Sequence, residues 1–208
     1  SLDINARRNL EITEKMRDKS KKGTLLWVLD KTSTSMGGRL LRRWLNDPLL
    51  EVKEIQERLD AVKELKDNMM LRGEITDTLK KVYDIERLAG KMTYGNANAR
   101  DMITLKNSLE RLPEVKNVLA MCQSHKLKEL YENLDELKDV FALIEKSIVE
   151  DPPMTIKDGG IIKLGYDEEI DTLKKASTEG KTWLAKLEAD EKEKTGIKTL
   201  KVGYNKVF

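Results

Sequence analysis

The strongest constraint on the fold of this chain is an apolar seam that runs from residue 170 to residue 187. Its small and apolar side chains alternate in steps of three and four, a seven-residue spacing that suits packing along one partner helix. Acidic residues 167–169 precede the seam, and Lys192 and Lys194 follow it before Gly196, as the helix dipole and a glycine C-cap favour. The sequence therefore predicts one helix of about 28 residues, roughly 42 Å long.

Shorter segments with a helical period fill most of the preceding sequence, whereas residues 3–13 lack that period and are predicted to be extended. Charged residues make up 37% of the chain and aromatic residues 5%, a balance typical of exposed helices with narrow apolar stripes. We therefore expect an all-α, multi-helical fold. The predicted helices cover residues 25–29, 36–45, 51–66, 74–82, 85–92, 100–112, 113–121 and 126–149. Caps are predicted at Thr24 and residues 33–35, and a turn at residues 158–160. Breaks are predicted at Gly73, residues 95–98 and Pro113, with a possible interruption near Asn133.

After the long helix the period of the apolar residues changes to two. Leu200, Val202 and Tyr204 alternate with polar residues or glycine, which predicts a half-buried strand. Because a single strand needs a partner for its backbone groups, we expect that partner in a part of the protein beyond this sequence. The predicted organisation is a helical domain over residues 1–175, then the end of the long helix and the first strand of an incomplete β-containing domain over residues 176–208.

The distribution of charge restricts the kind of partner that the chain can bind. The net charge is +2, but residues 1–46 hold eleven Lys and Arg against five Asp and Glu, and residues 196–208 hold three lysines and no acidic residue. This pattern excludes a uniformly basic surface, so any contact with nucleic acid should be local.

Two basic sets are candidate binding residues. Lys198, Lys201 and Lys206, with Asn205, form an acid-free polar set whose lysines could each neutralise a DNA phosphate. An ordinary exposed strand face with solubilising lysines is an equal alternative. The second set lies on the face opposite Trp44 and Leu45, where a solvated face, an acidic partner and a neighbouring domain are all open interpretations. Its members are Arg39, Arg42 and Arg43.

The sequence offers no complete catalytic or metal site. Gly180-Lys181-Thr182 lacks the earlier glycine of a phosphate-binding loop, because position 175 is Lys, and it lies within the predicted long helix. Cys122 and His125 are the only cysteine and histidine, so a zinc site is not expected, and no third group is evident to orient a nucleophile-base pair. We expect no catalytic residue, no metal site and no cofactor in this segment.

The chain also contains no apolar run near the ~18 to 20 residues that a membrane-spanning helix needs. A single cysteine permits no intrachain disulfide. These features predict a soluble, cytoplasmic protein, and Ser1 in place of an initiating methionine suggests a segment of a longer chain.

Several motifs follow one another along residues 2–208. They are Asp3-x-x-Ala6-Arg7-Arg8-Asn9-Leu10-Glu11; Val28-Leu29-Asp30-x-Thr32-x-Thr34-x-Met36-Gly37-x-Arg39-Leu40-Leu41-x-Arg43-Trp44-Leu45-x-x-Pro48; Glu150-Asp151-Pro152-Pro153; Asp158-Gly159-Gly160-Ile161-Ile162 with Gly165-Tyr166; and Thr195-Gly196-Ile197-x-Thr199-Leu200-Lys201-Val202-Gly203-Tyr204-Asn205-x-Val207-Phe208. In this order they resemble the MutS family of DNA mismatch-repair proteins, bacterial type. Ala6 departs from the family pattern, which usually has Thr there.

The resemblance implies a core, or lever, domain whose long helix leads into a clamp domain that grips the DNA backbone, with the clamp only begun here. The family's mismatch-reading Phe-x-Glu motif lies before this region and its ATPase P-loop after it; neither motif occurs in the sequence. The segment itself would not be an enzyme. It would couple the ATPase to gripping of the DNA backbone.

The parent that the resemblance implies is a homodimeric, Mg-ATP-dependent mismatch sensor and DNA-dependent ATPase. It would be cytoplasmic and nucleoid-associated in a bacterium. Its partners would be double-stranded DNA, through the complete clamp, the other MutS domains, and downstream mismatch-repair proteins. A helical scaffold that binds proteins through the face at residues 39–43 or the seam at 170–187, without binding DNA, is the alternative.

Overall fold

A computed structural model of the chain describes residues 3–203, which divide into two compact units at residues 161 and 162. Within the described residues the secondary structure consists of eleven α-helices and one 3₁₀ helix, Ile156–Asp158, and no strand. The prediction of an all-α, multi-helical fold is confirmed. The helices are α1 (Ile4–Asn9), α2 (Leu25–Leu29), α3 (Ser35–Asn46), α4 (Val52–Asp67), α5 (Met69–Leu79), α6 (Ile85–Thr93), α7 (Ala99–Leu109), α8 (Leu112–Ala120), α9 (His125–Asn133) and α10 (Lys138–Ser147) in the first unit, and α11 (Glu168–Thr195) in the second.

Side-chain caps start α2 and α3 where the sequence predicts them. The hydroxyl of Thr24 accepts a hydrogen bond from the Trp27 N–H at 3.2 Å, and the hydroxyl of Thr34 accepts one from the Gly37 N–H at 3.0 Å. Each bond satisfies an N–H that the first turn of a helix leaves without a backbone partner. Pro48 follows Asp47, the C-cap of α3, and a proline disfavours helical backbone in the residue before it.

The first unit has two apolar cores, built from the inward faces of α4 to α10. In one, α4, α5, α8, α9 and the loop between α8 and α9 contribute the buried residues Ala61, Leu71, Val115, Val118, Leu119, Cys122 and Leu127. In the other, α6, α7, α8 and α10 enclose Leu88, Leu105, Leu109, Leu112 and Ile144. Because α8 contributes to both clusters, it joins the two cores into one packed unit.

In the first unit, the structure overturns the predictions for residues 3–13 and for Gly73 and confirms the one for Asn133. Residues 3–13 were predicted to be extended, but residues 4–9 form α1, because the Asp3 carboxylate accepts the N–H groups of Asn5 at 2.7 Å and Ala6 at 3.1 Å. The predicted break at Gly73 is also wrong, since α5 continues through it; a glycine inside a helix costs only about 1 kcal/mol. The predicted interruption near Asn133 is confirmed, because α9 ends there and α10 begins at Lys138.

One carboxylate connects α4 to the start of α9. Glu64 accepts the backbone N–H of Gln123 at 2.6 Å and that of Ser124 at 2.8 Å. Partial burial raises the pKa of Glu64, but the hydrogen bonds from Ser124 and Gln123 outweigh that effect, and the pKa lies below its usual value. The charged form of Glu64 therefore stabilises the folded state.

We expect Glu64→Gln to lower the free energy of unfolding by about 1 to 2 kcal/mol at neutral pH, because an amide offers one acceptor in place of two. A lowered folded pKa contributes stability that is complete above the unfolded value and disappears as the pH falls through the folded value. The difference in free energy of unfolding between the unchanged protein and Glu64→Gln should therefore shrink as the pH falls through the folded pKa of Glu64. Urea unfolding at a series of pH values measures this difference. Glu74→Gln, at an exposed position on α5, is the matched control, and a constant difference at every pH would contradict the assignment.

The second unit is organised by α11, the predicted long helix. The Asp167 carboxylate accepts the Ile170 N–H at 3.0 Å at its start. At its end Gly196 adopts a left-handed conformation with φ of 70°, and its N–H donates to the carbonyl of Lys192 at 3.0 Å. The predicted helix of 28 residues is confirmed with both of its caps. None of the described helices, including α11, has the length and apolar content to cross a membrane.

Candidate nucleic-acid interface

The segment that follows α11 turns back toward the last turns of that helix. The Glu188 carboxylate accepts a hydrogen bond from the ammonium of Lys192 at 2.6 Å and another from the backbone N–H of Val202 at 3.0 Å. The hydrogen bond from Lys192, and after it the one from Val202, holds the pKa of Glu188 below its usual value. A single carboxylate thus fixes where residues 197–202 lie relative to the helix.

This arrangement leaves the two described members of the predicted lysine set on the surface. Lys198 and Lys201 are both exposed, and they flank the half-buried Leu200, whose N–H closes a turn onto the carbonyl of Ile197 at 3.2 Å. Two ammonium groups on a short, anchored turn can each contact a phosphate. Asn205 and Lys206 lie outside the described residues.

The strand predicted after Gly196 is not formed in the residues that the structure describes, which end at Gly203. A strand needs a neighbouring backbone to receive its N–H and C=O groups, and no neighbouring strand is present in the described part of the chain. The N–H of Val202 uses the Glu188 carboxylate instead. The remaining part of the predicted strand, from Tyr204 onward, lies outside the described residues.

Arg39, one of the three arginines of the second predicted set, is engaged within the first unit. Its guanidinium donates to both carboxylate oxygens of Asp84 at 2.7 Å and to Glu86 at 2.6 Å. The hydroxyl of Ser35 donates to the same Asp84 at 3.0 Å. The hydrogen bond from Arg39 holds the pKa of Asp84 well below its usual range. This network ties α3 to the first turn of α6.

Sequence reasoning missed the partners of Arg39, although one local signal was available. Asp84 immediately precedes α6 and accepts the Arg87 N–H at 3.1 Å, so it has the position and chemistry of an N-cap. Nothing in the sequence spacing indicates that a cation 45 residues earlier reaches it. Arg42 and Arg43 are exposed, and a role of the three arginines in contacting another domain stays a prediction.

Trp44, the aromatic residue next to Arg43 in the chain, is in contact with a further arginine. The guanidinium of Arg58, on α4, lies 3.8 Å from the centroid of the Trp44 ring, within the distance at which a cation and an aromatic face attract. Trp44 is 40% exposed. The contact joins the end of α3 to α4 on the surface of the first unit.

Cys122, His125 and Thr182, which the sequence analysis considered for chemistry, lie in different environments. Cys122 is 1% exposed, and burial, with the nearby Glu64 carboxylate, raises the pKa of its thiol. His125 is exposed and lies 3.8 Å from Glu57. Thr182, the last residue of the Gly-Lys-Thr sequence, donates its hydroxyl to the carbonyl of Thr178 at 2.9 Å within α11. Among the described residues no group of three or more potential metal ligands converges.

Comparison with known proteins identifies the family. The family model described as MutS domain III matches residues 5–199. The chain belongs to the MutS family. It is 54% identical over 208 residues to the DNA mismatch repair protein MutS of Clostridium tetani. It is 58% identical over 207 residues to the protein of that name from Caldanaerobacter subterraneus subsp. tengcongensis and, equally, to that from Ruminiclostridium cellulolyticum.

Each of these matches covers 100% of the chain and 24% of the relative, so the chain spans about a quarter of the length of the curated MutS relatives. The resemblance inferred from the motifs is thereby confirmed, and the matched segment is a helical MutS domain, as the structure shows. The boundary predicted between residues 175 and 176 stays a prediction. It falls inside α11, which is one uninterrupted helix of 28 residues.

Proposed function

We propose that this segment is the lever and the beginning of the clamp of a MutS protein, and that it couples an ATPase to gripping of the DNA backbone. The observation that carries the proposal is α11, a continuous helix capped at both ends, which is followed directly by the exposed Lys198 and Lys201. Asn205 and Lys206 complete the proposed DNA-binding set. The segment contributes no catalytic residue and hydrolyses no ATP by itself.

A long helix gives this role a physical basis. At about 1.5 Å per residue, α11 extends over roughly 42 Å, and a rigid helix can transmit a two-state rearrangement over tens of ångströms. The anchored turn at Glu188 means that a displacement of the helix end displaces Lys198 and Lys201 with it. We propose DNA as the ligand because the relatives are named DNA mismatch repair protein MutS.

We extend the proposal to the parent protein on the family resemblance of the sequence motifs. It is a homodimer that binds ATP and Mg outside this segment, contacts double-stranded DNA through a completed clamp, and works with other MutS domains and downstream mismatch-repair proteins. Its place is the bacterial cytoplasm, in association with the nucleoid.

The DNA contact can be tested by replacing Lys198, Lys201 and Lys206 with Ala in the full-length parent. Each phosphate contact removed should reduce the slope of log affinity against log salt by about 0.9. Fluorescence anisotropy with a mismatched duplex, at four or more salt concentrations, measures the slope. The control variant replaces three exposed lysines within α11, at positions 175, 181 and 186. An unchanged slope in the first variant, or an equal decrease in both, would remove these lysines from the interface.

A helical scaffold without DNA binding is the second candidate function. It is favoured by two large apolar side chains on α11, since Leu173 is 64% exposed and Trp183 is 61% exposed. The two candidate functions are separated by testing whether the segment copurifies with neighbouring parent domains or with unrelated partner proteins. Retention of unrelated partners through this face, together with an unchanged salt slope for DNA, would favour the scaffold.

A further inference from the structure

Residues 3–47, which contain α1 to α3, have a small core and polar contacts of their own within the first unit. Ile12 and Leu26 are buried, and the N–H of Leu26 donates to the carbonyl of Ile12 at 2.9 Å. Lys21 and Asp30 form an ion pair in the same segment. Neither Ile12 nor Leu26 belongs to the two apolar cores built from α4 to α10. We call residues 3–47 the N-terminal body, and α4 to α10 the helical bundle.

The N-terminal body is not fastened to the helical bundle by a shared apolar core. No residue of α3 is buried, and the two apolar cores, together with the partly buried side chains packed against them, contain no residue from 3–50. Residues 48–50, which link α3 to α4, make no hydrogen bond in the described structure, and Leu50 is 85% exposed. Two bodies without a large apolar interface are expected to move relative to each other.

A polar contact, which we call the Arg39 latch, joins the start of α3 to the start of α6. It consists of the hydrogen bonds from Arg39 to Asp84 and Glu86 and the one from Ser35 to Asp84. The side chain of Arg39 is 38% exposed and that of Glu86 is 58% exposed, so salt screens part of their attraction. Ser35 and Arg39 lie in the first two turns of α3, at the end of the helix that a rotation about residues 48–50 displaces most.

We propose that the N-terminal body rotates as a unit about residues 48–50, and that the Arg39 latch holds it closed against the helical bundle. Hinges are often a few residues at the ends of elements, and residues 48–50 have that position. Among the described residues, one further ring contact joins the two bodies, that of Trp44 with Arg58. It lies at the end of α3 nearest the linker, so rotation displaces it less than the latch. The motion is internal to the first unit and does not depend on the proposed gripping of DNA.

The test measures the distance between the two bodies in the full-length parent by double electron–electron resonance. One nitroxide amino acid replaces the exposed Lys31, before α3, and the other replaces the exposed Asn107, on α7. Arg39→Ala should raise the ratio of the open to the closed distance population about tenfold, since hydrogen bonds to charged groups are lost. Raising the salt from about 0.05 M to about 0.5 M should increase the open population of the unchanged protein. The same change of salt should have little effect on Arg39→Ala, in which the latch is already absent.

The matched control is Arg43→Ala, which removes an exposed arginine of the same helix that forms no ion pair among the described residues, and it should leave the ratio unchanged. A second pair of labels, at the exposed Lys22 and Arg42, lies within the N-terminal body. In Arg39→Ala this pair should keep its single distance, which distinguishes rotation of an intact body from local unfolding. A distance distribution that Arg39→Ala leaves unaltered, an equal change with Arg43→Ala, a salt effect of equal size in Arg39→Ala, or a broadened distance within the N-terminal body would each overturn the proposal.

Discussion

Leu109→Ala should lower the free energy of unfolding of the first unit by about 2 to 5 kcal/mol, the range observed when a large buried side chain is reduced to a methyl group. Leu109 lies on α7, is 2% exposed, and packs in the cluster with Leu88, Leu105 and Ile144. Helices approach it from several directions, so the cavity left by the missing atoms cannot close by movement of one side chain.

Urea unfolding followed by circular dichroism measures this effect. Leu143→Ala is the matched control, because it removes the same atoms from α10, where the side chain is 57% exposed. We expect the control to change the free energy of unfolding by less than about 0.5 kcal/mol. Equal effects of the two substitutions would contradict the assignment of Leu109 to the core.

The second large effect is expected in α11. Gly180→Pro should destabilise the helix by about 2 kcal/mol, because proline removes a backbone donor and clashes with the preceding turn, at a cost of about 3 kcal/mol relative to alanine against about 1 kcal/mol for glycine. Gly180→Ala at the same position should stabilise it by about 0.5 to 1 kcal/mol, since no atom lies within 4 Å of the added Cβ. The two variants therefore differ by roughly 3 kcal/mol at one exposed site.

Hydrogen exchange of the amides of α11, followed by mass spectrometry, compares the protection of the helix in Gly180→Ala and Gly180→Pro. The alanine variant should protect the helix slightly more than the unchanged protein, and the proline variant should lose protection in the turns on each side of residue 180. Equal protection in both variants would contradict the description of α11 as one cooperative helix.

The sequence predicts the helices well where periodicity and caps agree. Thr24 and Thr34 are side-chain caps in front of apolar periodic segments, and acidic residues 167–169 with Gly196 delimit α11 at both ends. Local chemistry determines these features, so the sequence alone contains the information. The same argument explains why the ordered motifs suffice to recognise the MutS family.

Prediction failed where a single interaction overrides the local pattern. The Asp3 carboxylate starts α1 in a segment without helical period, and Glu188 occupies the N–H of Val202 in a segment with strand period. The bidentate contact of Arg39 with Asp84 joins α3 to the residue that precedes α6. Such contacts join residues that are far apart in the chain or compete with a repeating pattern, and neither kind is evident from spacing.

For the proposed DNA-binding site, the sequence could indicate which lysines belong to it but not how they are held in place. Lys198 and Lys201 were selected because they lie in an acid-free stretch, and the structure places both on the surface after the cap of α11. The anchoring role of Glu188 was not predicted, since that carboxylate belongs to the helix and not to the basic stretch. Its partner lies 14 residues later in the chain.

The central claim is that α11 transmits the nucleotide state to the DNA-gripping end of the segment. The most direct measurement is the ratio of mismatched-DNA affinities of the full-length parent in the presence of ATP and of ADP, compared between Gly180→Ala and Gly180→Pro. We expect the alanine variant to keep the ratio of the unchanged protein and the proline variant to bring it close to one. A ratio that is unchanged in the proline variant would contradict the claim, because an interrupted helix would then transmit as well as a continuous one.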